Sequence, residues 1–473
     1  MQDKLFELNF DKPLYIVGGA VRDAFLHQPI KDLDLAVADH AIKIARKIAN
    51  ALEGDFYIMD AEREVARVLL NTGQGRLTID VAGFRGDDLL ADLQGRDFTI
   101  NAMAVDMLGD LNLLIDPLHG ESDTSKKLVR MCTSDSIAED PIRTLRAVRQ
   151  SVQLAFHIVP ETQKAIRDYR SQLMTTSPER VRDEFFKILS LERANAALQV
   201  AHALGLLQEI MPEITALEHF QQAAPHVFNG WKHTLETIGK LSDILKVISY
   251  RRSDHTAASF SLGVLAMQLD RYRAQLNEHF STQWPNERSH TALMIFGALL
   301  HVLGRSVDDT NADRISTEMA QKYADTLRLS SAEKKRLMGM IANYAQIPTL
   351  DYGSDLLIHR FWYPLGIMGI DTIILSLADY MATYGNELKQ EMWLEQVERA
   401  VMLFDAYYHR YEQVVSPPAL LNGNDLMQEL DLAAGSIIGD LLTIIREAQV
   451  TENISTRESA LIAAKTYLNN LLE

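Results

Sequence analysis

Strand-like apolar runs fill about the first 125 residues of the chain and then stop. LYIVGG, LDLAVA, RVLLN, LTIDVAGF and AMAVDML are short, rich in branched apolar residues and set off by turn residues. Between them AIKIARKIANALEG has the period of an amphipathic helix, ending at Gly54, a residue suited to a C-cap. From about residue 136 the period changes. PIRTLRAVRQSVQLA, SPERVRDEFFKILSL, SAEKKRLMGMIANYA and EMWLEQVERAVMLFDAYY repeat their apolar positions every three or four residues. The pattern predicts an α+β chain, with an α/β head followed by an all-helical neck, body and tail. Looser breaks fall near Pro212, around 281–286 and at VVSPPALLNGND near residue 415. They suggest segments 1–135, 136–215, 216–410 and 411–473.

Composition narrows the class. With 473 residues, 47% hydrophobic and 23% charged, the chain is an ordinary globular one of roughly two to four domains. No stretch reaches the roughly 18 uninterrupted apolar residues of a membrane helix. The N-terminal MQDKLFELNFDK lacks the basic-then-apolar layout of a secretory signal. Cys132 is the single cysteine, which rules out an internal disulfide and a cysteine-rich zinc module. A soluble cytoplasmic protein with no membrane partner is the expectation. The net charge of −17 argues against broad, non-specific nucleic-acid binding. A local exception lies between residues 126 and 187, where 12 Lys/Arg face 8 Asp/Glu. Arg143, Arg146 and Arg149 are three residues apart there and share one side of a helix.

The chemistry concentrates in LYIVGGAVRDAFLHQPIKDLDLAV, residues 14–37. LYIV reads as a strand, Gly18-Gly19 as a tight turn and AVRDAFL as a helix start, an arrangement whose backbone N–H groups favour phosphate. Arg22 would add a charge-assisted contact. In the next strand, KDLDLAV, Asp32 and Asp34 are two residues apart and project the same way. Two such carboxylates repel unless a cation lies between them, and Mg²⁺, with its oxygen ligands, is the natural one. Asp80, in the later apolar strand LTIDVAGF, is the best-placed third carboxylate. A lone Asp-x-Asp or Gly-Gly is most often only a strand or a turn; the combination in this order is far more specific.

GGAVRD followed by KDLDLAV resembles the signature of the class II tRNA nucleotidyltransferase and bacterial poly(A) polymerase family. GRDFTINAMA, DPLHGESD, AEDPIRTLRAVR and SPERVRDEFFKIL then follow in that family's order, from about residue 13 to 190. The resemblance implies metal binding by Asp32 and Asp34. It places Gly18, Gly19 and Arg22 on the triphosphate, and Arg96 on the nucleotide. Asp97 and Asn101 would fix the ribose or simply the local turn. It puts Asp140 and Arg143 of EDxxR on the base edge, where a carboxylate accepts from the exocyclic amine of C or A and an arginine donates to the ring. The bland reading of Asp140 is an N-cap, with Pro141 in the first helical turn. Arg146 and Arg149 would meet phosphates or the primer; Arg180 and Arg182 would touch RNA more weakly. The implied reaction is attack of a tRNA 3′-hydroxyl on the α-phosphate of CTP or ATP without a nucleic-acid template. Poly(A) polymerase is the runner-up, and a non-catalytic RNA-binding or HD-type protein the reading from another class.

Two departures stand out. Gly95 replaces the first arginine of the family's RRD, so one phosphate or ribose contact is missing or moved. Only six residues, 86–91, separate Arg85 from Asp92. Members that add the whole CCA usually carry a longer loop there, and CC-adding ones lack it. The body also resembles an HD-type phosphohydrolase domain, through His233, His301 and Asp379. The His-Asp pair there reads His301-Val302, and valine cannot ligate a metal. A helical remnant supporting the tRNA is the expectation.

Overall fold

The computed structural model describes residues 5–472 apart from 6, 9, 31, 74, 251, 253–258 and 453. Lys31, which opens KDLDLAV, and the first four residues of MQDKLFELNFDK therefore lie outside the described residues. Two compact units divide the chain, Met1–Ile210 and Met211–Glu473.

The first unit is built on strands β1 (Tyr15–Val17), β2 (Asp32–Val37), β3 (Asp55–Asp60), β4 (Val65–Thr72), β5 (Gly75–Gly83), β6 (Ala104–Asp106) and β7 (Leu114–Ile115). They form one sheet in the order β3-β4-β5-β2-β1-β6-β7. The β2–β5 pair is parallel, and the other neighbours are antiparallel. Alternation along β2 decides which side each residue serves. Leu33, Leu35 and Val37 are buried in a core with Ala41, Ala45 and Ile48 of the helix Ala41–Leu52 and with Val68, Ile79 and Val81. Full burial of each such branched side chain stabilises by about 1.5–3 kcal/mol. Asp32 and Asp34 are left on the opposite side.

Three local expectations are corrected. The helix ending before Gly54 is closed by Glu53, which takes the left-handed conformation at φ 56°. Gly54 is needed for space instead, since a Cβ there would lie 2.4 Å from Leu70 Cδ2 and 2.8 Å from the Leu69 carbonyl oxygen. The helix predicted from Pro141 starts at Arg143, after a turn in which the Arg143 N–H donates to the Asp140 carbonyl at 3.0 Å. Asp140 is extended, at φ −145° and ψ 94°, and ends the short helix Ser136–Glu139 rather than capping the next one. The neck is also not wholly helical. His157–Ile158 pairs in parallel with Leu128–Val129, a two-residue strand too short to show a period.

The second unit is helical. The helices Gly230–Ile248, His290–Leu300 and Met368–Tyr384 carry fully buried apolar side chains such as Ile238, Leu241, Leu299 and Ile373. Leu426, Leu441, Ile445, Ala460 and Ala464 form a smaller core near the chain's end. Among the described residues no single helix is long and apolar enough to cross a membrane.

Candidate active site

Gly18 links β1 to the helix Gly19–Phe25 and sits at φ 76°, ψ −141°, a conformation few side chains tolerate. A Cβ there would lie 2.9 Å from Asp34 Oδ2 and 3.3 Å from Arg96 Nη1, so the turn, a carboxylate and an arginine converge on one point. The register explains it: Val17 stands opposite Asp34, and Asp34 opposite Asp80. Burial raises the Asp34 pKa above the usual carboxylate value; Arg96 opposes this, but the charges of Asp80 and Asp32 add to it. A carboxylate crowded by like charges, with Asp32 exposed beside it, suits a hard divalent cation.

These groups line a cavity of about 1110 Å³, which also includes Gly19, Arg22, Asp97, Asn101, Asp140, Arg143, Arg146, Arg149 and Arg180. Asp80 and Arg182 do not line it. Asp80 lies beside Asp34 but is held by Arg67 in a two-pronged pair at 2.8 and 2.9 Å. Arg182, expected at RNA, is corrected: its side chain is only 7% exposed and is paired with Asp183 at 2.7 Å.

A hydrogen-bonded chain runs through the cavity wall. Arg22 Nη1 donates to Asn101 Oδ1 at 2.6 Å, and its other side binds Asp23. Asn101 Nδ2 donates to Asp97 Oδ1 at 2.9 Å and to Gln150 Oε1 at 3.0 Å. Arg146 Nε donates to Asp97 Oδ2 at 2.8 Å. Burial alone would raise the Asp97 pKa, but the Arg146 charge and the bonds from Asn101, Arg146 and the Phe98 N–H bring it down to about 2. Arg96 donates to Asp92 Oδ2, and Arg149 to Glu184 Oε1. The segment Thr99–Asn101 is a short 3-10 helix, so the predicted i, i+4 contact of Asp97 with Asn101 forms in a tighter turn than an α-helix.

Several members went unforeseen, Gln150 and Arg85 among them. Gln150 lies four residues after Arg146, a spacing that puts it on the arginine-bearing side of the helix and could have marked it. Arg85 lines the cavity and its Nη1 donates to the Gly95 carbonyl at 3.2 Å. An arginine from the preceding loop thus stands beside the position where RRD has lost one.

In the second unit His233, His301 and Asp379, far apart in sequence, do converge: His233 Nε2 and His301 Nε2 lie 2.9 and 3.1 Å from Asp379 Oδ1. Val302 is buried next to them. A second buried cluster, not foreseen, joins His279 and His290 to Asp371 Oδ1 at 2.7 and 2.8 Å. Arg336 is ion-paired with the other oxygen of Asp371, and a built-in cation there disfavours a metal.

Residues 14–130 match the poly A polymerase head domain, 155–218 the "Probable RNA and SrmB- binding site of polymerase A", and 383–464 a tRNA nucleotidyltransferase domain 2. The chain is 28% identical to the A-adding tRNA nucleotidyltransferase of Deinococcus radiodurans over 465 residues, 94% of this chain and 93% of the relative. Over 180 residues, 38% of this chain and 41% of the relative, it is 41% identical to the CC-adding tRNA nucleotidyltransferase of Geobacter sulfurreducens. Its fold is similar to that of a CCA-adding enzyme in complex with ATP, at 20% identity and a TM-score of 0.61, covering 98% of this chain and 95% of that one. The chain belongs to the class II tRNA nucleotidyltransferase and bacterial poly(A) polymerase family, and so is a nucleotidyltransferase.

Proposed function

We propose that the chain adds C, A or both to the 3′ end of tRNA, taking CTP or ATP as donor and no nucleic-acid template, in the cytoplasm. The observation that carries this reading is the single cavity holding Asp32 and Asp34 at one side and Asp140 with its arginines at another. The 3′-hydroxyl oxygen forms a bond to the α-phosphorus, the bridging bond to the β-phosphate breaks, and pyrophosphate leaves. Mg²⁺ on Asp32 and Asp34 would supply charge neutralisation between the carboxylates and the phosphates. Arg22 and Arg96 face the triphosphate. Arg22 is held by Asn101 and Asp23, and Arg96 by Asp92, so little reorganisation is needed when charge develops. The head, 1–135, carries the transfer chemistry and the neck, 136–215, the base and the RNA.

Labelled CTP and ATP, offered with tRNA lacking its CCA end and with tRNA ending in CC, test the reading. Incorporation by the protein is expected, with loss of about 10³-fold or more in the Asp32→Ala, Asp34→Ala double variant. Incorporation that survives both changes would place the site elsewhere. The segment 86–91, with Asp88 capping the helix Leu89–Gln94 by accepting from the Ala91 N–H, leaves no long loop and favours CC addition as the narrower reading.

A further inference from the structure

Asp80 stands where a third metal ligand would, yet both its oxygens are already taken. The register lays Tyr57, Arg67, Asp80 and Asp34 side by side on β3, β4, β5 and β2. Residues paired across neighbouring strands share one face, with backbones about 4.8 Å apart. Asp80 is therefore one strand from Asp34, near enough for its charge to act there. The matching row through Asp32 holds Thr78 and Leu69, neither of them charged. Asp32 and Asp34 line the cavity, whereas Asp80 and Arg67 do not. Arg67 Nε donates to Asp80 Oδ1 at 2.8 Å and its Nη2 to Oδ2 at 2.9 Å. This two-pronged contact occupies the edge through which a carboxylate chelates a cation. The two side chains are 37% and 29% exposed, so the pair lies outside the packed core.

Building on the function read above, we propose that Arg67 is a positioning residue that withholds Asp80 from the metal, leaving a site of two protein carboxylates. Arg67 cancels the charge of Asp80. The corner then carries the charge of Asp32 and Asp34 alone, which one divalent cation neutralises. A triphosphate arriving there meets a neutral corner rather than a negative one. Mg²⁺ takes six oxygen ligands and is usually held by one or two carboxylates together with substrate phosphates and water. Three protein carboxylates would hold the ion ahead of the nucleotide and leave fewer positions for phosphate. With Asp80 withheld, the site is weak on its own and is completed by the nucleotide.

The test reads metal binding directly. Mn²⁺, which shares the oxygen preference of Mg²⁺, is titrated into the full chain without nucleotide, and the free ion is followed by electron paramagnetic resonance. Arg67→Met should bind Mn²⁺ about 10-fold more tightly than the wild type, the size expected when one unit charge is freed close to a divalent ion. Arg67→Lys, which keeps the charge and loses the fork, should tighten binding by a smaller factor. Arg67→Met combined with Asp80→Asn should return to the wild-type affinity. Damage to packing alone would weaken binding in Arg67→Met and would not be reversed in the double variant. Unchanged or weaker binding in Arg67→Met or, should that variant not fold, in Arg67→Lys overturns the assignment. Loss of binding in the double variant also overturns it, because Asp80 would then be an ordinary ligand. No transfer is needed for this measurement, so a wild-type protein that incorporates neither CTP nor ATP overturns the functional reading, while the Mn²⁺ affinities still decide the role of Arg67.

Discussion

Asp34 and Asp97 show opposite ways for a buried carboxylate to exist. Asp34 is raised above the ordinary value of 3.8 by burial and by Asp80 and Asp32. The folded protein therefore holds that proton more tightly than the unfolded chain does. Stability from this group is full while it stays protonated and declines as pH rises through the raised pKa, so at neutral pH the ionised carboxylate is a cost unless a cation offsets it. Asp34→Asn should raise the melting temperature at pH 7 without metal by about 1–3 °C, while abolishing nucleotide transfer. A lower melting temperature would contradict this reading of Asp34. Asp97, at about 2, is depressed below the ordinary 3.8. Its contribution is complete above the unfolded value and is lost as pH falls through the folded one. Asp97→Ala should cost about 2–4 kcal/mol at pH 7, because Arg146 is left without its partner, and denaturant titrations should show the deficit shrinking below pH 3.

At the scale of elements, the reading of a residue depends on what its neighbours do. Asp140 before a helical pattern has the composition of an N-cap, and a cap replaced by Ala loses about 1 kcal/mol. Here it ends one helix and is ion-paired with Arg180 at 2.8 Å, a partly exposed pair. Asp140→Ala should thus change stability by less than about 0.5 kcal/mol in urea titrations while strongly impairing nucleotide addition. Gly54 after a helix has the composition of a C-cap, but the left-handed residue is Glu53. Gly54→Ala should destabilise by about 1–3 kcal/mol through contact with Leu70 and Leu69, where a mere linker position would tolerate it. Strand placement was legible because a period of two fixes the side of every residue, which is how Asp32 and Asp34 could be paired on sight. The start of the Arg143 helix and the His157–Ile158 strand were not, since both depend on turns and pairings outside any short window.

Across the molecule, the members of the cavity were more legible than their bonds. The motifs named Arg22, Asp97, Asn101, Arg146 and Arg149, and all five line it. Their partners lie far along the chain: Arg22 meets Asn101 79 residues away, Arg146 meets Asp97 at a separation of 49, and Arg149 meets Glu184 at 35. No periodicity carries such pairings; packing makes them. The same holds for His233, His301 and Asp379, which read as scattered and converge when the helices pack. Whether the chain restores CCA ends is decided by offering it three tRNAs, ending before the first C, after the second C, or complete, with CTP and ATP supplied separately. Incorporation is expected into at least one of the two incomplete ends, limited to the few nucleotides that restore CCA, and none into the complete tRNA. Long A tails on every RNA offered, or no incorporation into either incomplete end, would contradict it.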